Sequence, residues 1–119
     1  MGEKMTDCLF CKIASGKIPA DIVFEDKRAL AFRDINPAAP THVLVIPRRH
    51  IATIDDVQDS DELDMGHLFR VAAQVAEQDG LGERGYRVTM NCKADGGQSV
   101  FHVHLHVLGG KALGWPPFP

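Results

Sequence analysis

The chain has 119 residues, 24% of them charged and 45% hydrophobic, with a formal net charge of -3. That length favours one domain, 1–119, with a modest core. The charge balance excludes the basic footprint of a nucleic-acid binder and the polybasic patch of a membrane-surface protein. No apolar run approaches the roughly 20 residues of a membrane span, so neither nucleic acid nor membrane is expected as a partner.

In chain order, "MGEKMT" begins Met-Gly, a weak myristoylation signal, and the residues after it lack the continuous apolar core of a signal peptide. A cytoplasmic protein is expected. The cysteines are Cys8, Cys11 and Cys92, an odd count that argues against a disulfide framework. Leu9, Phe10, Ile13 and Ala14 form a short helical pattern that Gly16 stops. "IPADIVFED" and "RALAFRDI" read as two strands of a hairpin turning at "EDKR". "NPAAP" (36–40) is a loop, because proline cannot feed a sheet ladder. "THVLVIP" is a β-branched run, a buried strand ending at Pro47. "RRHIATIDDV" reads as irregular or a short helical turn, with Arg48 and Arg49 a solvated basic pair.

A long helix follows. Asp59, Ser60 or Asp61 can cap it. Leu63, Met65, Leu68, Phe69, Ala72, Ala73, Val75 and Ala76 give a broad apolar stripe at helical spacing, and Gly80 and Gly82 end it. His67, near its middle, is expected to have no functional role. "YRVTMNC" alternates as a strand, with Cys92 incidental at its end. "KADGGQ" is a glycine-rich turn, and "SVFHVHLHVLG" the last strand. Strands run in blocks around one long helix, which predicts an α+β fold with a mainly antiparallel sheet.

That last strand carries His102, His104 and His106 at alternate positions. A strand puts such residues on one face, about 6.6–6.8 Å apart. Phe101, Val103, Leu105 and Val107 then face the other way, against the long helix. A solvated face, a metal site or catalysis at phosphorus would each use three imidazoles. Imidazole is a neutral nucleophile and a proton carrier near neutral pH. The adjoining "GGQS" (96–99) offers backbone N–H groups, an amide and a hydroxyl for an anion.

"HVHLHVL" resembles the motif of the histidine triad family. "CLFCKIASGKIPADIVFEDKRALAFRDINPAAPTHVLVIPRRHI" and "DGGQSVFHVHLHVLGG", followed by "WPP", are similar to the Hint branch, the purine nucleoside phosphoramidases. The resemblance implies a five-stranded antiparallel sheet with one long helix and a short N-terminal helix. It also implies a homodimer with a ten-stranded sheet. The implied reaction is hydrolysis of P–N bonds in AMP-NH2 or AMP-lysine substrates through a nucleotidyl-histidine intermediate on His104. His42 would support the proton network, His106 would lie against the phosphate, and Ser99 would meet the leaving amine. Gln98 and Asn91 would sit at the phosphate and Asp34 would hold the ribose. Leu9, Phe10, Ile13, Phe32 and Ile35 would wall the base pocket. A dinucleoside polyphosphate hydrolase and a nucleotide-binding regulatory module are the alternatives. The family's C-terminal segment reaches toward the partner's site, and here Phe118 and Pro119 extend it.

Cys8 and Cys11 alone read as small buried residues. A thioredoxin-like motif lacks its βαβ context here. Zinc needs two more ligands, and His50 and His102 are available. The resemblance favours this set, since bacterial-type members carry zinc on matching Cys, Cys, His and His positions. The zinc would be structural and not required for chemistry, and no catalytic cofactor is implied. A zinc-binding interaction protein is the remaining reading.

Overall fold

The computed structural model describes residues 7–117, so the Met-Gly start and the Phe118–Pro119 extension lie outside the described residues. The elements are α1 (Leu9–Ala14), β1 (Ile22–Glu25), β2 (Ala29–Arg33), β3 (Thr41–Pro47), α2 (Glu62–Gln78), β4 (Arg87–Thr89), a one-turn α3 (Lys93–Gly96) and β5 (Leu105–Gly109). Two 3₁₀ turns, Ile54–Asp56 and Asp59–Asp61, lead into α2. The five strands form one antiparallel sheet in the order β1-β2-β3-β5-β4. This is the expected α+β architecture. No helix among the described residues is long and apolar enough to cross a membrane.

Strand alternation divides the labour between the two faces. Ala29, Ala31, Val43, Val45, Leu105 and Val107 pack against Leu68, Val71, Ala72, Val75 and Ala76 of α2. Leu30, Phe32, Leu44 and Ile46 point the other way and pack with Phe10 and Ile13 of α1 and with Cys8, its N-cap. His42 shares the parity of Leu44 and Ile46, and His106 is paired in register with Leu44. Both histidines therefore lie on the α1 side of the sheet.

Several sequence expectations need correction. The last strand does not run from Ser99; β5 starts at Leu105, so only His106 of the triad is in the strand. The backbone N–H of Val103 donates to Ile51 O at 2.8 Å, a loop contact that takes this segment out of the ladder. Leu105 and Val107 do face α2, while Val103 is buried outside that cluster. On α2 the apolar stripe is wider than the buried face: Leu63 and Phe69 are 68% and 57% exposed. Phe69 lies about 100° around the helix from Leu68, off the seam.

The N-cap position of α2 is Asp61, but its side chain caps nothing there. It accepts instead from the Gln58 N–H at 3.0 Å and meets Arg49 at 2.8 Å. Arg48 is also no solvated cation, since it donates to the carbonyls of Asp26 and Ala14 and pairs with Glu25. The two arginines tie β1, α1 and the helix entry to the end of β3. At the far end of α2, Gly80 adopts φ +74°, and the N–H of Leu81 returns to Ala76 O at 2.9 Å. That left-handed cap is natural for glycine. Gly82 plays no part in it.

Candidate active site

A cleft of about 550 Å³ opens on the α1 side of the sheet. Of the residues expected to form the site, Leu9, Phe10, Ile13, Phe32, Asp34, Ile35, Ser99, His104 and His106 line it. Ile18, Pro19, Ala20, Asp21, Arg33, Leu44 and Val100 line it too and were not anticipated. Leu44 was readable, because it shares its strand face with His42. Phe10 stands edge-on to Phe32 at 5.4 Å and to His104 at 5.0 Å between ring centroids, so one aromatic joins the apolar wall to the imidazole.

The tautomers of the triad follow from their partners. His104 Nδ1 lies 2.7 Å from the carbonyl oxygen of His102, so Nδ1–H donates and Nε2 keeps its lone pair. Burial pushes the pKa of His104 down, although the bond to the His102 carbonyl works against it. The ring is therefore neutral at neutral pH, with an unprotonated nitrogen beside a nucleotide-sized cleft. His106 is also held neutral: burial, then the neighbouring His104 and His42, bring its pKa to about 4.

His42 is 8% exposed and sits behind His106. The Ala38 N–H donates to His42 Nδ1 at 3.0 Å. His42 Nε2 lies 2.9 Å from His106 Nδ1 and 3.5 Å from Asp34 Oδ2. Asp34, His42 and His106 also place ligand atoms within 4.8 Å of one another. His42 is a poor metal ligand, however. With Nδ1 accepting from an amide, Nε2 must carry the proton, and a metal there would require an imidazolate. This cluster is a hydrogen-bond relay.

Gln98 and Asn91 do not line the cleft. Gln98 accepts from the Lys93 N–H at 2.8 Å and donates to Ala52 O and Val100 O at 2.7 and 3.1 Å. Its amide is spent bracing the loop that presents Ser99. Asn91 is half-buried below that loop: a side chain grown at Gly97, which adopts φ +81°, would meet Asn91 Nδ2 at 4.0 Å.

The second cluster lies behind the triad. Ligand atoms of Cys8, Cys11, His50 and His102 all lie within 4.8 Å of one another. His102 Nδ1 is 3.4 Å from Cys8 Sγ and 3.5 Å from Cys11 Sγ, and His50 Nδ1 is 3.2 Å from Cys11 Sγ. A tetrahedral zinc with ordinary bond lengths has S···N edges of about 3.5 Å. His102 Nε2 lies 2.8 Å from Pro47 O, so Nε2–H donates and a bare Nδ1 faces the sulfurs. Metal-binding imidazoles are oriented in this manner. Burial pushes the pKa of His102 to about 4, so the ring is neutral and able to ligate. The donor set fits zinc.

An antiparallel α+β sheet bearing a neutral imidazole triad over such a cleft defines a histidine-triad protein. The HIT domain family model matches residues 15–113. The purine nucleoside phosphoramidase of Escherichia coli K12 is 49% identical over 108 residues, covering 91% of each chain. A HIT family hydrolase from Legionella pneumophila superposes with a TM-score of 0.92 at 55% identity, covering 94% of this chain and all of that one. A histidine triad protein from Clostridium difficile gives 0.89 at 46% identity, covering 94% of this chain and 96% of that one. The chain belongs to the HIT domain family.

Proposed function

We infer that the protein is a nucleoside phosphoramidase, hydrolysing P–N bonds of purine nucleoside phosphoramidates of the AMP-NH2 and AMP-lysine type. The observation that carries this is the free Nε2 lone pair of His104 at the cleft. The 49% identity to a purine nucleoside phosphoramidase supports it independently.

In the proposed reaction His104 Nε2 attacks phosphorus. The new N–P bond forms as the bond to the leaving amine breaks, and the amine takes the departing electron pair. Ser99, at the cleft, delivers the proton the amine needs and is reprotonated from solvent. The imidazolium so formed keeps its Nδ1–H on the His102 carbonyl. Water then attacks phosphorus and gives up a proton to solvent as the N–P bond breaks, which releases the nucleotide and restores the lone pair. The covalent step splits one hard displacement into two. His106 meets the phosphoryl oxygens, and Asp34 holds the ribose hydroxyls. Leu9, Phe10, Ile13, Phe32 and Ile35 enclose the base. Gln98 and Asn91 support the phosphate side by shaping its loop.

Cys8, Cys11, His50 and His102 hold a structural zinc in this reading, and the matching S···N separations support it. The working unit is a homodimer of one domain, 1–119, whose sheets join at β4 into ten strands. Supporting this, β4 stands at a sheet edge, where backbone groups are open to pairing, and Leu63, Phe69 and Tyr86 lie exposed. The thiols of Cys8 and Cys11 suit a reducing, cytoplasmic setting.

The test is hydrolysis of adenosine phosphoramidate against a diadenosine polyphosphate, with intact-mass measurement of the protein during turnover. Preference for the P–N substrate with a transient AMP adduct supports the reading. Preference for the P–O–P substrate makes the protein a dinucleoside polyphosphate hydrolase. Tight AMP binding without turnover makes it a nucleotide-binding module.

A further inference from the structure

We propose that the backbone N–H of Ala38 sets the polarity of the His42–His106 relay and thereby makes His106 a hydrogen-bond donor to the phosphoryl group. The inference rests on the phosphoramidase reading and adds a positioning residue to it, since Ala38 acts only through His42.

The relay is directional. An amide N–H can only donate, so His42 Nδ1, 3.0 Å from Ala38 N, must accept. The neutral ring then carries its proton on Nε2. His106 Nδ1, 2.9 Å away, must accept that proton's hydrogen bond. The proton of neutral His106 is thus on Nε2, the nitrogen turned away from His42, in a ring that lines the cleft. The reverse relay would need Nδ1–H on His42, facing the amide hydrogen head-on. Asp34 Oδ2, 3.5 Å from His42 Nε2, also favours the proton on that nitrogen.

The amide is held in place. Asp34 N–H donates to His42 O at 2.9 Å, and Asn36 N–H donates to Asp34 Oδ1 at 2.8 Å. The loop between β2 and β3 is therefore pinned at its base, next to the histidine it addresses. Pro37 and Pro40 stiffen it further. The consequence is electrostatic. A phosphoryl oxygen gains charge in the transition state, and a fixed N–H stabilises it where a lone pair would repel it. Mechanistically, His106 begins each turnover as a donor and not as a base.

The experiment replaces the amide at Ala38 by an ester, which keeps the methyl and removes only the N–H; Ala38→Pro is the second variant. ¹⁵N spectra of the histidine rings in the substrate-free protein read the tautomers directly. Wild type is expected to show His42 protonated on Nε2 and His106 on Nε2. In the ester variant, His42 is expected to shift toward the Nδ1–H form. Its kcat on adenosine phosphoramidate should fall roughly 10²-fold while KM moves only a few-fold. A wild-type spectrum with His42 protonated on Nδ1 overturns the proposal without any substitution. So does a folded ester variant with wild-type kcat. Failure of the wild type to turn over the phosphoramidate defeats the functional reading instead, and leaves the tautomer measurement standing.

Discussion

His102 and His104 are joined through one carbonyl: the oxygen of His102 receives Nδ1–H of His104 at 2.7 Å, while the ring of His102 faces Cys8 and Cys11. One residue therefore grips the imidazole of His104 with its backbone and the sulfur cluster with its side chain.

Substitution of His104 by alanine removes the nitrogen proposed to attack phosphorus. The expected loss in kcat is on the order of 10³-fold or more, because a nucleophile acts as a unit with its site. AMP affinity should change far less. Steady-state kinetics with calorimetric AMP binding checks both, and retention of turnover would exclude His104 as nucleophile.

Removal of the proposed zinc should be felt first in stability. Purified protein is expected to carry close to one zinc per chain by elemental analysis. Cys11→Ser should lower zinc content and reduce Tm by several degrees, since an ion bound only by the folded state stabilises it. A chain isolated from zinc-containing medium with no metal and an unchanged Tm after chelation would remove the ion from the account.

The acid limb of activity should lie well below the ordinary histidine value. His106, with its pKa near 4 against an ordinary 6.5, stays neutral through mildly acidic pH. Between those values an unfolded chain binds the proton that the folded one refuses. Its contribution to stability is therefore full above 6.5 and declines as pH falls toward about 4. A pH profile of kcat/KM, with circular dichroism to confirm folding, checks this; a limb near 6.5 would contradict it.

Asp79, just past α2, accepts from both Arg33 nitrogens at 2.9 Å and from Thr41 Oγ1 at 2.9 Å. The Arg33 hydrogen bonds, together with Thr41, hold its carboxyl below the ordinary 3.8. That stabilisation is present above 3.8 and lost as pH falls through the lowered folded value. Asp79→Ala should cost about 1–3 kcal/mol at neutral pH. Asp79→Asn should flatten the acid side of the stability curve; an unchanged curve would assign the acid sensitivity elsewhere.

The proposed homodimer predicts a sedimenting mass twice the 13.0 kDa of one chain. Paired substitution of the exposed Leu63 and Phe69 by glutamate should shift the population toward monomer, measured by analytical ultracentrifugation. A wild-type monomer at micromolar concentration would defeat the dimer.

The elements were largely legible because their signals are local. Leu68, Ala72, Val75 and Ala76 repeat at helical spacing, and Val43, Val45 and Ile46 form a β-branched run. What escaped was set by contacts distant in sequence. Nothing in "SVFHVH" reveals that the Val103 N–H leaves the ladder for Ile51 O. Arg48 and Arg49 look solvated until β1, α1 and Asp61 arrive beside them. The site's side chains were readable as types in a pattern, and most of those named line the cleft. The Ala38 amide was not, since a backbone N–H has no signature in the alphabet of side chains. Gln98 shows the reverse: its residue type suggested a ligand contact, while its hydrogen bonds turn inward.

Along β3, His42, Leu44 and Ile46 serve the cleft side while Val43 and Val45 serve α2. Adjacent codons therefore carry different kinds of damage. A substitution at Val43 or Val45 should yield a temperature-sensitive allele, rescued by cooling or by added stability elsewhere. One at His42 should yield a protein that accumulates normally and works poorly at any temperature. A saturation library across this strand would set His42 apart from its neighbours, with Leu44 and Ile46, buried against α1, joining Val43 and Val45 in the temperature-sensitive class.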